Sequence, residues 1–367
     1  MAEQTNNLKI ALFCGGAGTR LWPASRQDKP KQFQPLVSKE STFQMMVKRL
    51  KKGFAPTDIF PITNRENVSY IVQQAPEIPL ENIIIEPERR DSLAAVGMAA
   101  AILHKKFANP VVLSLWSDHL IKNNEAFIAA IKAASVVAKE NQKTVEIAVR
   151  PTFPSTQLGY LQIGKMIKTI DGHGVFDFVK QIEKPGYEDA KRFVQSWEYL
   201  WHIGYAVWPS SYILSLFKKM TPAIYVVLSE IEKAYGEANF DKVLAREYQK
   251  IPKNSIDYGI FVKLGKGDQL VLTADLGWSD IGAWDVLKDD LSQNSSENVT
   301  QGLVFEIDSR DNLLYSQVDN KLLATIGLSG YIVVDTPDAL LICPKNRSQD
   351  VKRMVEKLKE AKKDKFL

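Results

Sequence analysis

The feature that most constrains this chain is the alternation of short apolar runs with longer segments of helical periodicity over residues 8–149. The short runs are bounded by polar or turn residues, which is typical of strands, and the segments between them carry apolar residues at helical spacing. Strands that alternate with helices build a mostly parallel sheet covered by helices, so the sequence predicts a layered α/β domain. The predicted strands are residues 9–14, 59–62, 83–85, 111–115 and 145–149, and the predicted helices are residues 42–51, 92–105 and 124–140.

Residues 151–235 interrupt this alternation. Residues 151–208 mix aromatic-rich short strands with a helical pattern at 187–196, and residues 210–235 follow a helical pattern again. We interpret this stretch as an insertion that extends the first sheet.

A polar stretch divides the chain after Lys288. Residues 289–298 hold one apolar residue, Leu291, among nine polar ones, which is typical of a linker. The sequence therefore predicts a large domain over residues 1–288 and a small domain over residues 289–367.

The second predicted domain is rich in short β-like runs at steps of roughly ten residues, which favours a small all-β unit or stacked coils. The runs begin near Gly302, Asn312, Leu322, Tyr331 and Ala339. Val351, Met354, Val355 and Leu358 then recur at helical spacing in a basic segment, which predicts a closing helix with a solvated face rather than a partner or membrane helix.

Charge and composition exclude several classes of protein. Lys and Arg number 47 against 43 Asp and Glu, and this dispersed net charge of +4 predicts no nucleic-acid partner but is compatible with acidic small molecules. Two cysteines, Cys14 and Cys343, cannot form a disulfide framework or a cysteine zinc site, which favours a reducing cytosol. The longest apolar run, residues 93–103, is too short to span a membrane, and residues 1–7 are polar without a basic residue. We therefore expect a cytoplasmic protein with neither signal peptide nor membrane contact.

The first predicted strand runs directly into a glycine turn. Glycines there let backbone N–H groups crowd around a bound anion, and a phosphate is the anion expected, although chain reversal alone would also use such a turn. The dinucleotide-binding pattern needs a glycine where Leu21 stands, and a P-loop needs a Gly-Lys-Ser/Thr that is absent. The residues predicted to bind a nucleotide in this turn are Gly15, Gly16, Gly18 and Thr19.

Basic residues follow the turn, and the segments that contain them resemble the signature of a known family. The segments Gly15-Gly16-Ala17-Gly18-Thr19-Arg20-Leu21-Trp22-Pro23 and Pro30-Lys31-Gln32-Phe33 resemble the signature of sugar-1-phosphate nucleotidyltransferases, in particular the mannose-1-phosphate guanylyltransferase branch. The resemblance continues through Glu86-Pro87, Asp118-His119, Gly159-Tyr160, Glu183-Lys184-Pro185, Ser255-Ile256-Asp257-Tyr258-Gly259 and Gly277-Trp278-Ser279-Asp280-Ile281-Gly282.

This resemblance implies a fold and a reaction. The fold is a Rossmann-like α/β domain with a mixed, mostly parallel sheet flanked by helices, followed by a small β-rich, β-helix-like domain and a terminal helix. In the reaction, the phosphate oxygen of mannose 1-phosphate attacks the α-phosphorus of GTP in line, and pyrophosphate leaves as GDP-mannose forms. Catalysis of this kind depends on holding two anions in line and stabilising the charge that develops.

The phosphate-binding roles fall on two cations of the matched loop. Arg20 has a planar, permanently charged fork that suits the β- and γ-phosphates of the leaving group. Lys31 carries a compact charge on a long stem that suits the α-phosphate, and Pro30 restricts the backbone that presents it.

Two carboxylates are predicted to hold Mg²⁺. Asp118 follows the predicted strand 111–115, where ligands bind in open α/β sheets, and Asp280 lies in a glycine-bracketed turn. Two carboxylates with phosphate oxygens and waters form the usual shell of Mg²⁺. Asp118 would also serve as a helix N-cap, and His119 is interpreted as structural because imidazole is a poor Mg²⁺ ligand.

By resemblance, the sugar and the base have separate sets of residues. Glu183 accepts hydrogen bonds from sugar hydroxyls, Lys184 binds the sugar phosphate as a catalytic cation, and Gly159 lets the sugar ring approach the backbone. An exposed ion pair at a strand end is the alternative for Glu183 and Lys184. Glu86 reads the base, since a carboxylate accepts both N1–H and the 2-amino group of guanine, which favours GTP.

Some pocket residues depart from the family pattern. Trp201-His202-Ile203-Gly204 stands where Trp-Asn-Ser-Gly is usual, so His202 is predicted to contact the sugar differently. Mannose 1-phosphate is the expected sugar, while another hexose 1-phosphate, another nucleotide or a catalytically silent regulatory homologue stay open. The short strands of the second domain leave edges that need pairing, so it is expected either to form a homo-oligomer or to cover the catalytic domain.

Overall fold

The structure is a computed structural model that describes residues 8–16 and 18–367; residues 1–7, for which no signal peptide is predicted, and Ala17 lie outside the described residues. The chain packs into two compact units. The first, called the sheet unit, comprises residues 8–14, 47–116 and 121–278. The second, called the coil unit, comprises residues 15–46, 117–120 and 279–367. The domain boundary after Lys288 stays a prediction.

The strands of the described residues alternate with helices along the first half of the chain and dominate its C-terminal part. In chain order they are β1 (Leu8–Phe13), β2 (Ile59–Asn64), β3 (Ile84–Glu86), β4 (Val111–Trp116), β5 (Leu120–Ile121), β6 (Thr144–Val149), β7 (Gly159–Ile170), β8 (His173–Glu183), β9 (Tyr199–Pro209), β10 (Gln269–Thr273), β11 (Trp278–Ser279), β12 (Val299–Gln301), β13 (Leu303–Ile307), β14 (Leu313–Ser316), β15 (Leu322–Ile326), β16 (Tyr331–Asp335) and β17 (Leu340–Pro344).

The helices include the three predicted in the first half of the chain, each within two residues of its predicted bounds. They are α1 (Thr42–Leu50), α2 (Val68–Gln74), α3 (Asp91–Phe107), α4 (Asn124–Asn141), α5 (Tyr187–Gln195), α6 (Ser210–Met220), α7 (Pro222–Ala234), α8 (Phe240–Tyr248), α9 (Ile256–Gly259), α10 (Trp284–Leu291) and α11 (Val351–Glu360). Within the described ranges, no helix is both long and apolar enough to span a lipid bilayer.

The sheet unit is built on a nine-stranded mixed sheet in the order β3-β2-β1-β4-β9-β6-β10-β8-β7. The five predicted strands are confirmed as β1, β2, β3, β4 and β6, and β1 pairs in parallel with both β2 and β4. The predicted insertion does extend the sheet, through β7 and β8. Its third strand, β9, instead lies in the middle, antiparallel to β4 and β6. A strand covered on both sides must be apolar on both faces, and β9 is buried along most of its length.

Two local differences from the sequence-based prediction have physical causes. Residues 210–235 form two helices rather than one, because Pro222 has no N–H to continue α6 and instead begins α7. The later elements α8, α9 and β10 are not predicted from the sequence. They are short, and α9 spans only Ile256–Gly259.

The coil unit confirms the predicted small β-rich domain with stacked coils. The strands β12, β14 and β16 pair in parallel, β13 and β15 form a second parallel pair, and β17 closes the first group antiparallel to β16. Val351 of α11 is buried, and Val355 and Leu358 pack against the core of this unit. The terminal helix is therefore a closing helix, as predicted.

A bulge in β9 distinguishes the segment that departs from the family pattern. In the pairing with β6, Tyr205 lies opposite Ile147 but His202 lies opposite Ala148, so Ile203 and Gly204 are extra residues on β9. Gly204 has a φ of 73°, and its carbonyl accepts a hydrogen bond from Trp116 Nε1 at 3.2 Å.

Gly204→Ala is expected to lower the free energy of unfolding by about 2–4 kcal/mol, because a left-handed backbone and a steric clash both oppose it. A Cβ at this position would lie 2.3 Å from Trp116 Nε1. Gly172→Ala is the matched control, since Gly172 also has a positive φ but no heavy atom lies within 4 Å of its Cβ position. Chemical denaturation followed by circular dichroism compares the two, and equal losses would contradict the steric argument.

Candidate active site

The glycine turn packs against the stem of Lys31 in the coil unit. Gly18 adopts a left-handed conformation with a φ of 54°, and a Cβ there would lie 2.5 Å from Ser25 Oγ and 2.8 Å from Lys31 Cβ. Gly15 and Gly16 are exposed, and Gly16 has a φ of 110°. Glycine is therefore required at position 18 for the approach of Lys31, while the exposed glycines leave their backbone accessible to a ligand.

Lys31 forms an ion pair with one of the two predicted metal ligands. Its Nζ lies 2.8 Å from Asp118 Oδ2, and it donates a hydrogen bond to the carbonyl oxygen of Ile281 at 3.3 Å. The side chains of Lys31 and Asp118 are 13% and 19% exposed, so water screens the pair only weakly. The structure thus brings together Lys31, Asp118 and the segment that carries Asp280.

The charges of this cluster influence one another. Burial opposes ionisation of Asp118, but Lys31 and His119 more than offset it and hold the pKa of that carboxyl below its usual range. Burial raises the pKa of Asp280, and the nearby charge of Asp118 adds to this, while Lys31, His119 and Arg20 oppose it. Burial lowers the pKa of His119, while Asp118 and Asp280 oppose this.

The donor set of this cluster fits Mg²⁺. Asp118 and Asp280 supply carboxylate oxygens, the ligands that this hard cation prefers, and Mg²⁺ commonly takes only one or two carboxylates from a protein. Among residues 8–16 and 18–367, no group of three or more His, Cys, Asp or Glu side chains could hold a metal ion. Two carboxylates leave the rest of a Mg²⁺ shell to water or to oxygens of a ligand.

C-terminal residues hold the segment that follows the glycine turn. Arg20 Nη1 donates to Gln349 Oε1 at 3.1 Å, and Trp22 Nε1 donates to the carbonyl oxygen of Phe366 at 2.7 Å. Arg26 and Asp338 form a two-pronged ion pair with distances of 2.7 and 2.6 Å. These partners were missed from the sequence, and no local pattern marks them.

The three predicted sugar-binding residues come together in the sheet unit. The strand β7 ends the strand order given above, but its first residues also pair with β9. Gly159 therefore pairs with Glu183 of β8 on one side and with His202 of β9 on the other. A Cβ on Gly159 would lie 2.4 Å from Glu183 Oε2 and 3.3 Å from His202 Cβ. Lys184 is exposed, and its Nζ lies 3.8 Å from Glu183 Oε1. Burial and the charge of Asp257 raise the pKa of Glu183.

His202 lies between two carboxylates that the sequence analysis did not assign. Its Nε2 is 2.9 Å from Asp257 Oδ1, and its Nδ1 is 3.4 Å from Glu146 Oε2. Burial opposes its protonation, but Glu146 and Asp257 raise the pKa of His202 well above its usual value. Two sequence features could have pointed to these partners. Asp257 lies in the Ser255–Gly259 motif, and Glu146 is a charged residue inside the otherwise apolar strand β6.

Glu86 lies at the end of β3 with a partner from α8. The Tyr248 hydroxyl donates to Glu86 Oε2 at 2.6 Å. Burial raises the pKa of Glu86, and the Tyr248 hydrogen bond and Arg89 oppose this. Tyr248 could not have been predicted, because the sequence analysis did not find α8.

Comparison with known families decides the assignment. The profile described as Nucleotidyl transferase matches residues 10–296 of the chain. The chain belongs to the nucleotidyl transferase family. A second profile, described as MannoseP isomerase/GMP-like beta-helix domain, matches residues 302–358.

Individual relatives confirm the predicted branch of this nucleotidyl transferase. The chain is 34% identical over 356 residues to mannose-1-phosphate guanylyltransferase RfbM of Salmonella typhimurium, covering 95% of the chain and 72% of that relative. It is 32% identical over 353 residues to xanthan biosynthesis protein XanB of Xanthomonas campestris, covering 95% and 73%. A crystal structure described as mannose-1-phosphate geranyltransferase from Thermus thermophilus matches with a TM-score of 0.85 at 28% identity, covering 96% of this chain and 99% of the other.

Lys31→Gln is expected to lower the kcat of this nucleotidyl transferase by about 10²–10³-fold, because it removes a preorganised cation from the phosphate-binding set. Release of pyrophosphate from a nucleoside triphosphate and a sugar 1-phosphate measures the loss. Lys29→Gln is the matched control, since Lys29 lies in the same loop and is exposed. Similar activities of the two variants would remove Lys31 from the catalytic set.

Proposed function

We propose that this chain is a mannose-1-phosphate guanylyltransferase, which joins GTP and mannose 1-phosphate to give GDP-mannose and pyrophosphate. The observation that carries the proposal is the cluster in which Lys31 lies 2.8 Å from Asp118, beside the glycine turn and within electrostatic range of Asp280. The name of the Salmonella relative supports the choice of substrates.

The proposed reaction is an in-line displacement that needs positioning and charge stabilisation rather than covalent chemistry on the protein. Arg20 binds the β- and γ-phosphates, and its hydrogen bond to Gln349 orients the guanidinium. Lys31 binds the α-phosphate and stabilises the charge that grows on it, and exposed glycine backbone in the turn supplies further N–H donors.

Asp118 and Asp280 hold Mg²⁺ in this proposal. When bound, Mg²⁺ neutralises charge on the phosphate oxygens. Lys31 pairs with Asp118 and also opposes the raised pKa of Asp280, so its charge lies close to both proposed ligands. The same ammonium would complement the phosphate oxygens that complete the Mg²⁺ shell.

Base and sugar recognition fall to the sheet unit. Glu86 accepts N1–H and the 2-amino group of guanine, with its carboxylate oriented by Tyr248. Glu183 accepts hydrogen bonds from sugar hydroxyls, and the exposed Lys184 binds the phosphate of the sugar. Gly159 and His202 form the wall beside Glu183.

Three further features belong to the proposal. The division into domains 1–288 and 289–367 and a cytoplasmic location are retained from the sequence analysis. Association into a homo-oligomer is supported by apolar side chains exposed on β13 and β15, where Leu303 pairs with Leu322 and Ile307 with Ile326.

A catalytically silent regulatory homologue is the second candidate, and the changed His202-Ile203 segment is the observation that favours it. A pyrophosphate-release assay over a grid of nucleoside triphosphates and hexose 1-phosphates separates the candidates. We expect the highest kcat/KM with GTP and mannose 1-phosphate. A maximum at another pair would reassign the substrates, and nucleotide binding without turnover for every pair would support the regulator.

Glu86→Gln is expected to reduce the preference for GTP over UTP by about 10–100-fold, because the amide presents one acceptor where the carboxylate presents two. The ratio of kcat/KM values for the two nucleotides measures the preference. Glu88→Gln is the control, since Glu88 lies in the same segment and pairs with Arg90 at the surface. An unchanged ratio in Glu86→Gln would refute the role in base recognition.

Asp118→Asn and Asp280→Asn are each expected to raise the Mg²⁺ concentration for half-maximal activity by about tenfold or more, because each removes a charged ligand. Asp275→Asn, an exposed carboxylate near Asp280 in sequence, is the control and is expected to leave the Mg²⁺ dependence unchanged. A chelator is expected to abolish activity of the wild type, and added Mg²⁺ to restore it. Full activity in excess chelator would exclude the metal.

A further inference from the structure

A fully buried carboxylate lies beneath the predicted sugar-binding residues. Glu146 is on β6 and has no exposed surface. Neither of its carboxylate oxygens has a hydrogen-bond partner of normal geometry among the described residues, and the nearest cationic group is His202, with Nδ1 at 3.4 Å from Oε2. Burial raises the pKa of Glu146 and the neighbouring His202 opposes this, so the ionised form of Glu146 depends on the protonated form of His202.

The opposite edge of the same imidazole holds Asp257. His202 Nε2 lies 2.9 Å from Asp257 Oδ1, and Gln181 Nε2 donates to the same oxygen at 3.0 Å. The imidazole therefore connects a buried carboxylate to a partly exposed one, whose side chain is 20% exposed. An imidazole can donate hydrogen bonds from both nitrogens only when it is protonated. A carboxylate on each side of the ring therefore favours the protonated imidazole.

This chain of contacts ends beside the residues proposed to bind the sugar. Gly159 leaves no room for a side chain, since a Cβ there would lie 2.4 Å from Glu183 Oε2 and 3.3 Å from His202 Cβ. Burial and the charge of Asp257 raise the pKa of Glu183. Asp257 is the partly exposed member of the chain and has the acceptor chemistry that sugar hydroxyls require. The bulge at Ile203 and Gly204 sets the position of His202 opposite Ala148.

We infer that Glu146 is a positioning residue, which acts through His202 to fix the carboxylate of Asp257 as a hydrogen-bond acceptor for a hydroxyl group of the sugar 1-phosphate. The inference rests on the proposed function and adds Asp257 to its sugar-binding set, with Glu146 as a residue that positions it. Glu146 itself does not touch the substrate, since its side chain is fully buried.

The test is Glu146→Gln, which keeps the shape of the side chain and removes its charge. The KM for mannose 1-phosphate is expected to rise by about tenfold, the size of one lost hydrogen bond to a charged group, while kcat and the KM for GTP change by less than about threefold. Asp58→Asn is the matched control, because it removes the carboxylate partner of the buried Lys9 at 2.6 Å in the same unit. The control is expected to lower stability without changing either KM.

A double-mutant cycle shows whether Glu146 acts through His202. In the His202→Asn background, Glu146→Gln is expected to add less than about a twofold change in the KM for mannose 1-phosphate. The double variant removes both charges of the Glu146–His202 pair, so it serves where Glu146→Gln alone fails to fold, and Gln181 still donates to Asp257. Additive tenfold effects would overturn the positioning role.

The titration of His202 tests whether Glu146 carries the charge that pairs with the imidazole, which is the first link of the inferred chain. The protein has four histidines, so ¹³Cε1-labelled histidine gives few signals, and His202→Asn assigns the one of interest. The groups that face this ring are Glu146 on β6, Asp257 on α9 and Glu183 on β8. The wild-type signal is expected to stay in the protonated form to clearly higher pH than in Glu146→Gln.

The outcomes separate the inference from the function on which it rests. An inactive wild type over the whole substrate grid removes the proposed function, and this inference with it. An active wild type whose Glu146→Gln variant matches Asp58→Asn in both KM values, or leaves the His202 titration unchanged, overturns this inference alone.

Discussion

The register in which the start of β7 pairs with both β8 and β9 is the constraint on which the predicted sugar-binding set depends. Gly159 pairs with Glu183 on one side and His202 on the other, so three residues that are distant in sequence become neighbours on one surface. Successive side chains of a strand point to opposite faces, and a slip of one residue would separate Glu183 from His202. The bulge at Ile203 and Gly204 allows β9 to keep this register while it also pairs with β6.

Each unit places one cation between carboxylates. In the coil unit, Lys31 pairs with Asp118 and acts on Asp280; in the sheet unit, His202 lies between Glu146 and Asp257. The two cations have different consequences. Lys31 carries a compact ammonium on a four-carbon stem, whereas His202 is a planar ring that fixes the direction of each hydrogen bond. In the proposed function, the first would accompany the phosphate and the second would orient an acceptor for the sugar.

The sequence predicted those parts of the molecule whose signals are local. The strands β1, β4 and β6 and the helices α3 and α4 have strong periodicity, and the motifs identified Lys31, Asp118 and Glu183. The position of β9 inside the sheet could not be predicted, because strand order depends on contacts that periodicity does not record. The contact between Glu146 and His202 could not be predicted because the two residues lie on different strands, and Gln349 follows Arg20 by 329 positions. The metal and substrate roles of the predicted residues stay predictions.

The hydrogen bond from Trp22 to the carbonyl of Phe366 joins positions 344 residues apart. A contact of such separation closes a long loop, and the entropy cost of that closure rises only slowly with loop length. The segment next to the glycine turn is therefore held by residues that follow α11, so a substitution near Phe366 can alter the order of a turn that is very distant from it in sequence.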